Sequence, residues 1–242
     1  MLFNDAFRAM DTDVDVLVHA PRPRPEIVMS VRLLFEQQEE RFSRFRPSSL
    51  LSRLNSGSIV DDPLFVRACR MAVEAHEMTG GRFNPMILRA LRQAGYDSTF
   101  SAIQGGAPAR QEVPSPADAL AFEGPRVRLS GGALDLGGLV KGWTVDLAVE
   151  QFGRSVEGIF INAGGDLRCA GREDSAPGWD AAIEGPDGAI AWRGRVDGAL
   201  ATSTTARRRW RSSDGGTAHH LIDPTTGLPA NSAFVQVSAW CP

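Results

Sequence analysis

The order of hydrophobic periodicities constrains this chain most. Helical spacing comes early. Residues 26–42 place Ile27, Val31, Leu34, Phe35 and Phe42 opposite Glu36, Gln37 and Glu40, an amphipathic helix. Residues 62–78 form a second helix, with Asp61 or Asp62 as cap, Pro63 at its first position and Thr79-Gly80-Gly81 at its end. Strand-like runs come late, at residues 127–129, 158–163, 167–170, 179–184, 189–192, 199–202 and 234–240. Ahead of both, residues 10–18 alternate with Val14, Val16 and Val18 on one face, which predicts the first strand of a sheet. With no regular βαβ repetition and no internal repeat, the pattern predicts an α+β fold, not a doubly wound parallel sheet.

The chain has 242 residues, 43% of them hydrophobic, enough for one substantial core in one or two lobes. A formal net charge of -3 argues against general affinity for nucleic acid, and the run Arg207 to Arg209 with Arg211 reads as a solvated loop. Cys69, Cys169 and Cys241 lack the spacing of a disulfide framework or zinc site and read as buried thiols or spectators. The start of the chain is acidic where a signal peptide is basic, and no stretch is long enough to span a bilayer. The expectation is a soluble, cytoplasmic protein.

The stretch Gly131 to Asp146, GGALDLGGLVKGWTVD, reads as a short β run, Ala133-Leu134-Asp135, that breaks at Gly137-Gly138 and feeds a helix marked by Val140, Trp143 and Leu147. Backbone amides at such a helix N-terminus attract phosphate. Lys141, in that turn, is the only lysine of the sequence. A compact ammonium at a phosphate is one reading of it; an ordinary helix-surface lysine is the other. Pro47-Ser48-Ser49 reads as the N-terminal cap of a short helix carrying Leu50, Leu51 and Leu54; GGRFNP reads as a turn and residues 101–116 as a surface loop.

Five stretches taken together, FSRFRPSSLLSRLN, GGRFNP, LDLGGLVKGWTVD, FINAGGDLRCAG and ATSTTARRRW followed by HHLIDPTTGLPA, resemble the ApbE family of FAD:protein FMN transferases. The resemblance runs in order from Met10 to Pro229; its most specific parts are Asp135 to Gly142 and His220 to Pro229. It implies one domain over residues 1–242, mainly antiparallel sheets with packed helices in two α+β lobes around a flavin cleft. It also implies an enzyme that moves FMN from FAD to a threonine or serine hydroxyl of a target flavoprotein, releasing AMP.

By the same resemblance His220 is the general base, which Asp223 lies close enough in sequence to orient; a turn histidine bonded to backbone is the plainer alternative. His219 is expected to pack. FAD would be held by Met10, by Phe45 stacking on the adenine, by Arg82, Phe83 and Asn84, by Asp135 and Lys141, and by Ser203, with Thr202, at the family's T-S-G place. For Met10 and Phe83 ordinary core packing is the competing reading. Magnesium in the family is bound by the backbone carbonyl of the glycine turn, here Gly138, with an acidic residue and a threonine on a C-terminal helix. That helix is not in this sequence, so the expectation is a truncated chain or one lacking the acidic ligands. Asn84 and Met86 replace the family's aspartate and threonine, and Thr204 its glycine, which weakens the case for a hard cation. The alternative function is a non-catalytic FAD-binding protein of the same fold.

Overall fold

Val14, Val16 and Val18 turn one face of the strand Thr12–His19 entirely inward in the computed structural model, which describes residues 1–242. Burying each such side chain stabilises by roughly 1.5–3 kcal/mol. This strand is not the first of its sheet. Leu2–Ala9 precedes it and pairs antiparallel from Leu2 with His19 to Ala9 with Thr12. Only Phe7 and Ala9 of that edge strand are buried, so it carries no full apolar alternation to reveal it. The sheet has six strands in the order Leu2–Ala9, Thr12–His19, Gly158–Ala163, Asp166–Gly171, Gly198–Thr204 and Gln236–Cys241, each antiparallel to its neighbours.

The helix Pro25–Phe42 begins on its proline, whose missing N–H is no loss there, and Glu26 complements its N-terminal dipole. Its Ile27, Val28, Val31 and Phe35 join Val145, Ala148 and Val149 of the helix Gly137–Phe152 against the buried valines and isoleucines of the sheet. A hairpin of Trp179–Glu184 with Ile190–Val196 adds a smaller core around Trp179, Val196, Leu200 and Cys169.

Elsewhere the helix Pro63–Met78 is capped by the Asp62 side chain, which accepts from the Phe65 amide, one of the two aspartates the sequence offered; Leu50–Asn55 is capped by Ser49, the last residue of the Pro47-Ser48-Ser49 cap, which accepts from the Ser52 amide. Phe42 stacks on Phe65 with ring centres 5.5 Å apart. Val60–Asp61, Arg126–Leu129 and Leu120–Glu123 make a three-stranded antiparallel sheet. GGRFNP is a turn, as expected: Asn84 caps the short 3-10 turn that follows. Ala133-Leu134-Asp135, by contrast, pairs in no strand, and the helix begins on the glycines at Gly137. The extended segment is held instead by the Asn55 side chain, which donates to the Leu134 carbonyl (2.9 Å) and accepts from its amide (2.7 Å).

The chain divides into two compact units, one of residues 1–38, 141–206 and 234–242, the other of residues 39–140 and 207–233. The boundary falls inside DLGGLVKG, between Val140 and Lys141, so that motif contributes to both. No helix is long and apolar enough to cross a membrane.

Candidate functional site

In the first unit the motifs meet at one end of the six-stranded sheet. Met10 and Asp11 close the two-residue turn between the first strands with φ of 51° and 56°, the non-glycine residues of the chain with positive φ. Such turns match the twist of a hairpin and favour Asn or Gly, so holding Met10 there stores backbone strain. Its side chain is partly buried against the core, as the packing reading has it. Nearby, Gly164 and Gly165 turn the chain between Gly158–Ala163 and Asp166–Gly171, both at positive φ. The Asn162 side chain accepts from the Gly165 amide (3.0 Å), and the Gly165 carbonyl accepts from the Thr202 amide (2.9 Å).

Lys141 reaches into this turn. Its Nζ donates to the Ala163 carbonyl at 2.7 Å and forms an ion pair with the Asp166 carboxylate, and its side chain is 18% exposed. That excludes the helix-surface reading. It also corrects the picture of an ammonium in an open glycine turn, since Lys141 sits on the helix with a carboxylate partner. Thr202 Oγ1 lies 2.8 Å from Ser238 Oγ, whereas Ser203, the next residue of the strand, is exposed.

In the second unit the Asp135 amide donates to the Pro85 carbonyl at 2.7 Å, joining LDLGG to GGRFNP. Asp135 Oδ1 accepts from the Gly137 amide (2.9 Å), so the carboxylate caps the helix. Phe83 is half-buried, and its ring edge would lie 3.3 Å from a Cβ placed on Gly138. Arg82 is exposed, with Nη1 3.4 Å from the Thr79 carbonyl. The Asn84 side chain is bonded to backbone at both ends, accepting from Met86 N (2.8 Å) and donating to the Pro114 carbonyl (3.1 Å). The amide that stands where the family has a carboxylate thus serves the local turn.

Phe45 packs beside Tyr96, ring centres 5.9 Å apart, and Tyr96 beside Trp210 at 5.4 Å. The Arg44 guanidinium lies over both Phe45 (4.6 Å) and Tyr96 (4.0 Å). Arg208 Nη1 donates to the Tyr96 hydroxyl at 3.0 Å. The arginine run is solvated but only partly a loop: Arg207, Arg209 and Arg211 are exposed, while Arg209–Arg211 is a strand paired with Thr217–His219 and Trp210 between its arginines is buried.

His220 sits in the same unit. Its Nδ1 is buried without a hydrogen-bond partner. Burial first, and then the Arg208 charge, pull its pKa down to about 4, which keeps the imidazole neutral near pH 7. Asp223 does not orient it. Its carboxylate accepts from Thr225 N (2.9 Å), Thr225 Oγ1 (2.7 Å) and Thr226 Oγ1 (3.2 Å), closing its own turn. His219 packs as expected, with Nε2 3.0 Å from the Ala230 carbonyl. Cys69 and Cys169 are buried, and burial raises their thiols to about 12 and about 11, outside any reactive range.

Sequence reasoning singled out neither Asp166 nor Arg44, Tyr96 and Arg208. Asp166 and Arg44 stand inside quoted motifs, NAGGD and FSRFRP, but nothing local marks which side chain finds a partner. No group of three or more His, Cys, Asp or Glu side chains is arranged to hold a metal. Gly138 lies in the first turn of its helix, where a carbonyl is aimed at the amide four residues on.

Solved ApbE proteins share this fold. The ApbE protein of Thermotoga maritima superposes with a TM-score of 0.87 at 24% identity, covering 98% of this chain and 81% of that one. The apo form of the Pseudomonas stutzeri flavinyl transferase ApbE gives 0.79 at 22% identity, covering 98% and 79%. Among curated relatives, the FAD:protein FMN transferase of Treponema pallidum (strain Nichols) is 28% identical over 94% of this chain and 71% of its own length. That of Vibrio cholerae is 33% identical over 43% of this chain and 33% of its own. The family model of the ApbE family matches residues 10–242, and the chain belongs to that family.

Proposed function

We propose that this protein transfers FMN from FAD to a threonine or serine hydroxyl of a target flavoprotein. The observation that carries the reading is His220: a neutral imidazole whose Nδ1 has no partner, in one unit with two guanidinium groups. A neutral imidazole with its lone pair on Nδ1 is the form a general base requires there. The acceptor hydroxyl gives its proton to Nδ1 as its oxygen attacks the phosphorus on the FMN side of the diphosphate. The P–O bond to AMP breaks, AMP leaves, and FMN remains joined through a phosphoester. Positive charge at the diphosphate and fixed in-line geometry supply most of the acceleration in such transfers. Lys141, Asp135, Met10, Phe45, Arg82, Phe83, Asn84 and Ser203 are the proposed FAD contacts, supported by the family's motif pattern.

No group of three or more His, Cys, Asp or Glu side chains among these residues is arranged to hold a magnesium ion, so no step is routed through one. The second reading is a non-catalytic FAD binder of the same fold. Incubation with FAD and a threonine-bearing flavoprotein domain, with and without magnesium, separates them. Transfer gives a fluorescent protein band and stoichiometric AMP. FAD binding with neither product selects the second reading.

A further inference from the structure

Arg44, in the second unit, is a nearly buried cation whose Nη1 makes no hydrogen bond. Its side chain is 9% exposed, and its guanidinium carbon lies 4.6 Å from the Phe45 ring centre and 4.0 Å from that of Tyr96. Nη1 stands 3.2 Å from Asp135 Oδ2, close enough for an ion pair, yet it is not aligned for a hydrogen bond and is buried with no other partner. Asp135 is divided, since its Oδ1 is held by the Gly137 amide. A buried N–H left without an acceptor costs about 1–3 kcal/mol. A purely structural arginine would be turned onto its carboxylate in the two-pronged geometry that suits both groups. Here the faces of Phe45 and Tyr96 hold the guanidinium by cation–π contact instead.

What suits such a group is an oxyanion ligand, and a second orphaned nitrogen points the same way. His220 Nδ1 is also buried without a partner, and the Arg44 charge is felt at that imidazole. We propose that Arg44 is a binding residue for the diphosphate of the dinucleotide, its Nη1 donating to a phosphate oxygen beside the base. The inference rests on the FMN-transfer reading. A planar guanidinium serves this role better than an ammonium, because it matches phosphate geometry and keeps its charge on an aromatic face. It places positive charge where negative charge develops during phosphoryl transfer.

Titration of the full chain with FAD and with riboflavin, which lacks the diphosphate, tests this in Arg44→Gln and Arg44→Lys, each checked by thermal unfolding. Removal of one charge-assisted bond should weaken FAD by about tenfold or more in Arg44→Gln. Riboflavin affinity should be unchanged. Arg44→Lys keeps the charge and loses the fork, so its loss of FAD affinity should be smaller, about threefold or more, again with riboflavin unchanged. If Arg44→Gln does not fold, the ratio in Arg44→Lys decides. FAD and riboflavin weakened equally, or FAD unaffected, overturns the assignment. Wild-type protein that binds the two flavins equally overturns the FMN-transfer reading itself; wild-type preference for FAD that survives both substitutions overturns only the role of Arg44.

Discussion

Lys141 and Asp166, 25 residues apart in sequence, form an ion pair that locks the glycine-initiated helix to the Gly164-Gly165 turn, with the Ala163 carbonyl taking a second proton of the same ammonium. Neither side chain is more than 27% exposed. The pair therefore has structural consequences as well as any it has for ligands.

Lys141→Ala leaves the Asp166 carboxylate without its cation in a partly buried place. It should destabilise the fold by about 1–3 kcal/mol, and Asp166→Asn in the same background should restore part of that loss. Denaturant unfolding of the four proteins of the cycle measures the coupling. FAD affinity should fall in Lys141→Ala and stay low in the double variant; recovery together with stability would make Lys141 a purely structural residue.

His220→Ala should bind FAD as the wild type does and lose transfer by roughly a hundredfold or more. Single-turnover AMP release, alongside FAD titration, reads the two separately. A fully active, FAD-binding variant would remove His220 from the mechanism.

The pH dependence follows from the same side chain. Its folded pKa, about 4, lies below the ordinary 6.5, so between these values the unfolded chain binds a proton that the folded one does not. Stability is therefore full above the ordinary value and declines as pH falls through that window, by on the order of 3 kcal/mol at most. Burial shifts His219 in the same direction. Thermal unfolding across the window should show a shallower acid-side decline in His220→Gln than in the wild type. The acid limb of the transfer rate should likewise lie near the folded value and not near the ordinary one, because the base stays deprotonated down to it.

Gly164→Ala tests the turn. At φ +59° an added Cβ would lie 2.0 Å from Thr12 Oγ1, so both the backbone and a neighbouring side chain oppose it. A loss of about 1–3 kcal/mol is expected. Thr12→Ala should relieve only the steric share, leaving the double variant between wild type and Gly164→Ala in melting temperature. Full recovery would show that the left-handed backbone there carries no strain for alanine.

Much of the local structure was legible in the residues. The valine alternation gave Thr12–His19, the aspartate and serine caps fixed the starts of Pro63–Met78 and Leu50–Asn55, and the GGRFNP turn carried its own glycines. These signals act over a few residues, so composition and spacing suffice to set them. The edge strand Leu2–Ala9 was not legible, because only two of its side chains are buried and its existence depends on the partner it pairs with. Nor was the extended Ala133-Leu134-Asp135 distinguishable from a strand, since what holds it is Asn55, 79 residues from Leu134. The same holds for the candidate site. The sequence showed which motifs matter by their pattern, but the partners of Lys141, Arg44 and Asp223 were set by folding. A charged side chain pairs with whatever the tertiary fold brings within a few ångströms, and desolvation there, invisible in one dimension, decides which group is satisfied, which is left without a partner, and which histidine stays neutral.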